Sequence, residues 1–215
     1  MKRLAIIGAG DLGVQLAHLA RTTRQYMPVA FFDDMQPAGA QIDGITVYGA
    51  VDALATGYAA GDFDCVVIGI GYRHLALRQA LYRRFAGQMP FATLVHPSAI
   101  VDPTCRLGEG AVVYTGCVLD LGASVGPNAL LNAGCIVAHH SHVGAHSFLS
   151  PAVSVAGFVD IEPGCVLGIG TVVIDNVRIA SGARTGAGAV VTSNLEQPGL
   201  YLGIPARFAK GPATP

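Results

Sequence analysis

The sequence predicts an α/β domain of Rossmann-like winding over residues 1–95, followed by a left-handed parallel β-helix over residues 96–215, tail included. Two observations carry this prediction. From Leu107 every sixth residue is Val, Leu or Ile as far as Val191, with Thr185 the one exception. Ahead of that ladder, apolar runs alternate with amphipathic stretches. A period of six fits neither an α-helix nor a plain strand; it is the hexapeptide repeat, in which three short strands close one triangular coil.

The repeat has a physical logic at each position. The aliphatic residue points inward and stacks on its copies in neighbouring coils. Four residues later the side chain is small or β-branched, as at Ala111, Cys117, Ala123, Ala129, Cys135, Ser141 and Ser147, and fills the tapering corner. The residue between is often Gly or Asn (Gly110, Gly116, Gly122, Asn128, Gly134, Gly164, Gly170, Asn176), the types that take positive φ at little steric cost. No coil buries its core alone, so stability comes from stacking. The unbroken six-residue units point to the left-handed triangular form.

In residues 1–95 the elements follow in β-α-β order. Leu4–Gly8 reads as a buried strand, a glycine turn leads into a helix as far as Arg24, and Val29–Asp33 reads as a second strand. A short strand over 42–48 precedes a helix near 51–58. Asp64–Ile70 reads as a third core strand, residues 72–85 as a helix and Phe91–Val95 as a last strand. This order implies a small parallel sheet. His96-Pro97-Ser98-Ala99 marks the junction, because Pro97 favours an extended preceding residue. The Pro- and Gly-rich tail from Glu196 is expected to cover the far end of the coil.

Composition narrows the functional classes. The 215-residue chain is 52% hydrophobic and 13% charged, with a formal net charge of -1. That balance argues against nucleic-acid or membrane-surface attraction, and no apolar run reaches the length of a membrane span. The apolar run after Met1-Lys2-Arg3 is short and ends in a glycine loop, so it reads as a first strand of a cytoplasmic protein. Five cysteines with no Cys-x-x-Cys pair read as small, reduced core residues.

Two constellations can carry chemistry. Gly8-x-Gly10-x-x-Gly13 follows a strand and opens a helix, with Asp33 20 residues after Gly13. Backbone N–H groups there suit a phosphate. A nucleotide diphosphate fits better than NAD, because the domain is short and no hydride-transfer domain follows. The second constellation is His139-His140-Ser141-His142, with His146 beyond. The register puts His139 and His140 in a turn, facing out. They are either surface histidines, zinc ligands or a general base. The zinc-binding β-helix enzymes, the gamma carbonic anhydrases, pair histidines five apart, a spacing absent here.

Taken in order, the glycine fingerprint, the Phe32-Asp33-Asp34 strand end, His96-Pro97-Ser98-Ala99, the hexapeptide ladder with His139, Ala156-Gly157 one coil later and Gly203-Ile204-Pro205-Ala206 resemble one family. It is the sialic-acid O-acetyltransferase-like family of bacterial sugar acyltransferases, which includes N-acetyltransferases of nucleotide-linked 4-amino sugars. The resemblance implies a homotrimer, acetyl-CoA as cosubstrate in a groove between subunits, a nucleotide-linked sugar on the N-terminal domain, and no metal. It implies His139 as base with Asn132 and His140 in the catalytic group, and Gly157, Ile169 and Ala187 along acetyl-CoA. Gly10, Asp11, Leu12, Asp33, Asp34 and Gly71 would line the nucleotide pocket, and Arg207 or Lys210 would reach a CoA phosphate. Sugar O-acetylation and a non-catalytic binding trimer are the alternatives. The chain departs from the family pattern in three places: His140 replaces the usual carboxylate after the base, Phe148 stands where some members have a second histidine, and the first loop reads Gly10-Asp11-Leu12-Gly13.

Overall fold

The computed structural model describes residues 1–211. The chain divides into two compact units, Met1–Leu94 and a second beginning at Val95.

In the first unit, β1 (Lys2–Ile7), β2 (Tyr26–Phe32), β3 (Gln41–Ile42), β4 (Ile45–Gly49) and β5 (Cys65–Ile68) form one sheet in the order β3-β4-β2-β1-β5. All neighbours run parallel except β3 and β4. Strand β1, flanked by β2 and β5, is fully apolar from Leu4 to Ile7 and buried on both faces, as an interior parallel strand must be. Helix α1 (Asp11–Thr23) buries Gly13, Leu16, Ala17 and Ala20, a helical stripe, and stops at Arg24 in the left-handed region. Helices α2 (Leu54–Ala59) and α3 (Leu75–Phe85) each follow a short 3₁₀ turn. The strand expected over Phe91–Val95 is not continuous. Phe91 makes an isolated parallel bridge to Val66, and only Leu94–Val95 is strand again.

The second unit is the left-handed parallel β-helix, built from two-residue strands. From Ile100 to Val191 the strands pair in parallel with the strand one coil, or 18 residues, further on. The first face contains Ile100–Val101, Val118–Leu119, Ile136–Val137, Ser154–Val155, Val172–Val173 and Val190–Val191. The second runs from Arg106–Leu107 through Ser124–Val125, His142–Val143 and Asp160–Ile161 to Arg178–Ile179. The third includes Val112–Val113, Leu130–Leu131, Phe148–Leu149 and Val166–Leu167.

From Val113 to Val191 every ladder residue is buried. Burying a Val or Leu side chain fully is worth about 1.5–3 kcal/mol, so the ladder is the fold's main support. Thr185 is tolerated because its hydroxyl lies 2.7 Å from that of Thr171 and accepts the Gly168 N–H at 3.0 Å. The tail adds a strand, Gly199–Leu202, and an antiparallel return, Arg207–Lys210, while Tyr201 and Ala206 close the core. Residues 212–215 of the expected tail lie outside the described residues.

Every sixth residue from Gly110 to Gly188 has positive φ. Gly or Asn holds the position except at four successive turns: His140 (58°), His146 (64°), Ala152 (59°) and Phe158 (55°). A side chain with a β-carbon held there costs on the order of 1–3 kcal/mol, so these four turns invite a functional explanation.

Candidate active site

The six residues expected at a nucleotide, Gly10, Asp11, Leu12, Asp33, Asp34 and Gly71, all line one cavity of about 610 Å³ in the first unit. That volume is in the range of small-molecule sites. The glycines around it divide by role. A β-carbon on Gly13 would lie 2.0 Å from the Gly8 carbonyl oxygen, and one on Gly69 would lie 2.6 Å from the Gly13 α-carbon, so these two let strand ends and helix start touch. Gly10 and Gly71 face open space and have extended φ values that any residue adopts. Their missing side chains leave room in the cavity alone. Helix α1 has no side-chain cap, so its first N–H groups are available to an anion.

Asp33 is engaged before any ligand arrives. One carboxylate oxygen accepts the Ala9 N–H at 2.7 Å, and the other accepts those of Met35 and Gln36 at 2.7 and 3.0 Å. Asp34 accepts the Val51 N–H at 2.9 Å. Both acids brace the loops that wall the cavity, a role that the spacing from Gly13 does not reveal.

On the β-helix, the sites fall on two edges of the first face. The chain enters that face at one edge and leaves it at the other. The exit edge carries His139 and, one coil later, Gly157. Gly157 has no positive φ; it is glycine because of its neighbour. A β-carbon on Gly157 would lie 2.6 Å from His139 Cε1 and 2.7 Å from its Nε2, so the imidazole rests against the glycine backbone. The Phe158 N–H donates to the His139 carbonyl at 3.1 Å, locking the two turns together. Among the described residues no acceptor lies in range of the Gly157 N–H.

The entry edge carries the other expected residues. Asn132 is half-buried, and its side-chain oxygen accepts the Ala133 N–H at 3.0 Å. Ala133, Pro151, Ile169 and Ala187 follow in one column, and the first three carbonyls each accept an N–H from the next turn, those of Ala152, Gly170 and Gly188. Ile169 is 59% exposed and Ala187 is exposed. Thus one chain does not bring Asn132, Ile169 and Ala187 together with His139; the whole first face lies between the two columns.

The four neighbouring histidines diverge. His139 and His140 share the exit edge, with Nδ1 atoms 3.3 Å apart. His142 points out from the second face, where its Nδ1 lies 2.9 Å from the Ser124 hydroxyl. His146, grouped by sequence with the other three, is buried and pairs with Asn128 at 3.0 Å. Among the described residues no group of three or more His, Cys, Asp or Glu is placed to hold a metal. Burial pushes Cys165 up to about 12, and the hydrogen bond between Cys117 and Cys135 pushes Cys135 far up while it lowers Cys117, which is itself fully buried.

One residue at this edge escapes sequence reasoning. Phe158, 55% exposed, stacks on the His140 ring with centroids 5.2 Å apart and planes 9° apart. The signal was the gap in the Gly and Asn turn positions.

Comparison with known proteins settles the family. Residues 3–85 match the model described as the PglD N-terminal domain. No curated protein sequence matches the chain. Among solved structures, PerB from Caulobacter crescentus, in complex with CoA and GDP-perosamine, is 31% identical over 98% of each chain, with a TM-score of 0.89. The chain belongs to the hexapeptide-repeat family of nucleotide-sugar N-acetyltransferases. The acetyltransferase domain of PglB from Neisseria gonorrhoeae is 26% identical over 97% of this chain and 100% of its own, with a TM-score of 0.90. A structure of that domain in complex with acetyl coenzyme A matches at 27% identity over 97% and 99% of the chains, with a TM-score of 0.88.

Proposed function

We propose that this enzyme transfers the acetyl group of acetyl-CoA to the amino group of a nucleotide-linked sugar of the 4-amino-4,6-dideoxy type, for surface polysaccharide or glycan synthesis. The observation that carries the reading is the seat of His139, with its Nε2 against the Gly157 backbone and an unengaged N–H beside it. His139 Nε2 takes the proton from the sugar nitrogen as the nitrogen attacks the thioester carbon. The C–N bond forms, the C–S bond breaks and CoA leaves as its thiol. The Gly157 N–H donates to the developing oxyanion in this reading. Transfer is direct, in keeping with thiols that are buried or raised. Asn132 completes the catalytic group, and Arg207 and Lys210, exposed on the last strand, suit the CoA phosphates.

The active unit in this reading is a homotrimer. The outward column of the first face is Ile100, Val118, Ile136, Ser154, Val172 and Val190, with Ile100 67% exposed. The second face instead presents Arg106, Ser124, His142, Asp160 and Arg178. An exposed apolar face of this kind marks an interaction site. Turning three such faces toward one axis brings the exit edge of one chain to the entry edge of the next. His139 and Gly157 then face the Asn132, Ile169 and Ala187 column of a neighbour, with the acetyl-CoA arm between them. No described helix is long and apolar enough to cross a membrane, and the free cysteines suit the reducing cytoplasm, where we assign the reaction.

The test is release of CoA thiol from acetyl-CoA against a panel of UDP-, GDP- and dTDP-linked amino sugars and free sugars. Turnover with a nucleotide-linked amino sugar is expected. Turnover only on sugar hydroxyls would mean O-acetylation, and tight nucleotide binding with no turnover would mean a binding module. The cavity yields a second expectation. Gly10→Ala and Gly71→Ala should melt as the wild type does but lose on the order of tenfold or more in nucleotide affinity, measured by calorimetric titration with UDP and GDP.

A further inference from the structure

Three aromatic rings meet at the exit edge, and their arrangement goes beyond a lone base. His140 and Phe158 stand one coil apart at turn positions where the chain otherwise prefers Gly or Asn, and both are held at positive φ. Two other turns depart from that preference. His146 has a packing reason, its buried bond to Asn128, and Ala152 has the smallest side chain with a β-carbon. His140 and Phe158 have each other. Their rings stack almost parallel, and His139 meets both edge-on, at 5.5 Å and 79° to His140 and 5.1 Å and 84° to Phe158. Gly122, one coil earlier, leaves room for the far side of His140: a β-carbon there would lie 3.3 Å from Cδ2. His139 is therefore enclosed by a two-ring wall on one side and the Gly157 backbone on another.

The contact between the two imidazoles is through Nδ1 on both rings, at 3.3 Å. Such a bond needs one ring to carry its hydrogen on Nδ1 and the other to offer a lone pair there. A base acting through Nε2 must keep that atom unprotonated, so His139 carries its hydrogen on Nδ1. His140 Nδ1 is then the acceptor, and His140 keeps its own hydrogen on Nε2.

We propose that His140, seated on Phe158, is the positioning residue for His139: a neutral imidazole acceptor that replaces the carboxylate and fixes the tautomer and aim of the base. This rests on the reading of His139 as the base. When His139 takes the proton from the sugar nitrogen it becomes an imidazolium whose Nδ1–H still donates to neutral His140. The proton stays on His139 Nε2 and no charge passes to His140. Phe158 supplies the flat surface that holds the His140 ring in plane, which explains why a bulky side chain is kept at a strained turn.

The experiment compares His140→Phe, which keeps a ring for the stack but has no acceptor, with His140→Glu, which restores an acceptor. His140→Phe should lower kcat by about 10–100-fold, by analogy with the loss of a partner that orients a metal-bound histidine, with both KM values within about twofold of wild type. His140→Glu should recover most of that loss. A kcat for His140→Phe within twofold of wild type overturns the proposal. So does a His140→Glu enzyme as slow as His140→Phe, because then the ring and not the acceptor matters. If His140→Phe fails to fold, ¹⁵N shifts of the wild-type enzyme decide: hydrogen on His139 Nδ1 supports the proposal and hydrogen on Nε2 overturns it. A His139→Ala enzyme run in parallel separates the two levels. If it keeps full kcat, the assignment of the base fails; if it is slow while His140→Phe is normal, only this proposal fails.

Discussion

Replacing Gly157 by alanine should lower kcat by about 100-fold while leaving the protein folded. The backbone at Gly157 is not in the left-handed region, so alanine is acceptable to the chain itself. The conflict is with His139, whose Cε1 and Nε2 would lie 2.6 and 2.7 Å from the new β-carbon. The ring is the far end of a side chain and can swing away, so the substitution displaces the base rather than unfolding the coil. Displacing a reacting group by about 1 Å is enough for a loss of that order. The measurement is steady-state kcat beside a thermal melt: an unchanged melt with a slow enzyme is expected. Full activity would mean that the ring does not work from this seat.

His139→Ala should lower kcat by about 10²–10⁴-fold, the contribution typical of a general base, and leave residual turnover from positioning alone. Both KM values should change little, because the nucleotide cavity lies on the first unit and the proposed acetyl-CoA column on the entry edge. The two substitutions act on one group. The double variant His139→Ala/Gly157→Ala should therefore be no slower than His139→Ala by more than about twofold, a failure of additivity expected of residues in contact.

Much of this architecture was legible in the sequence. The ladder from Val113 to Val191 fixed which side chains face inward, and all of them are buried. The register also put His139 on a turn with Gly157 one coil above. What it left open is instructive. Asn132 and His139 are seven residues apart, but a strand of the first face separates them, so closeness in sequence becomes opposite edges in space. Asp33 sits at a ribose-like spacing, yet its oxygens already hold three backbone N–H groups. The run Phe91–Val95 is apolar enough for one strand, but Phe91 makes a single bridge to Val66 and strand resumes only at Leu94–Val95, in a different sheet. Phe158 is not legible by motif, because an exposed aromatic residue carries none; the signal is its place among the four successive turns that depart from Gly and Asn.

The central claim is that each active centre takes its base from one chain and its Asn132 column from the next. Mixed assemblies test it most directly. Once His139→Ala and Asn132→Ala have each been shown to be slow alone, the two chains are co-expressed with different tags and assemblies containing both are purified. A cleft that pairs the intact exit edge of the Asn132→Ala chain with the intact entry edge of the His139→Ala chain has no defect. The account therefore predicts acetyl transfer far above either parent. Activity no higher than the average of the two parents would contradict it, because the whole site would then belong to a single chain.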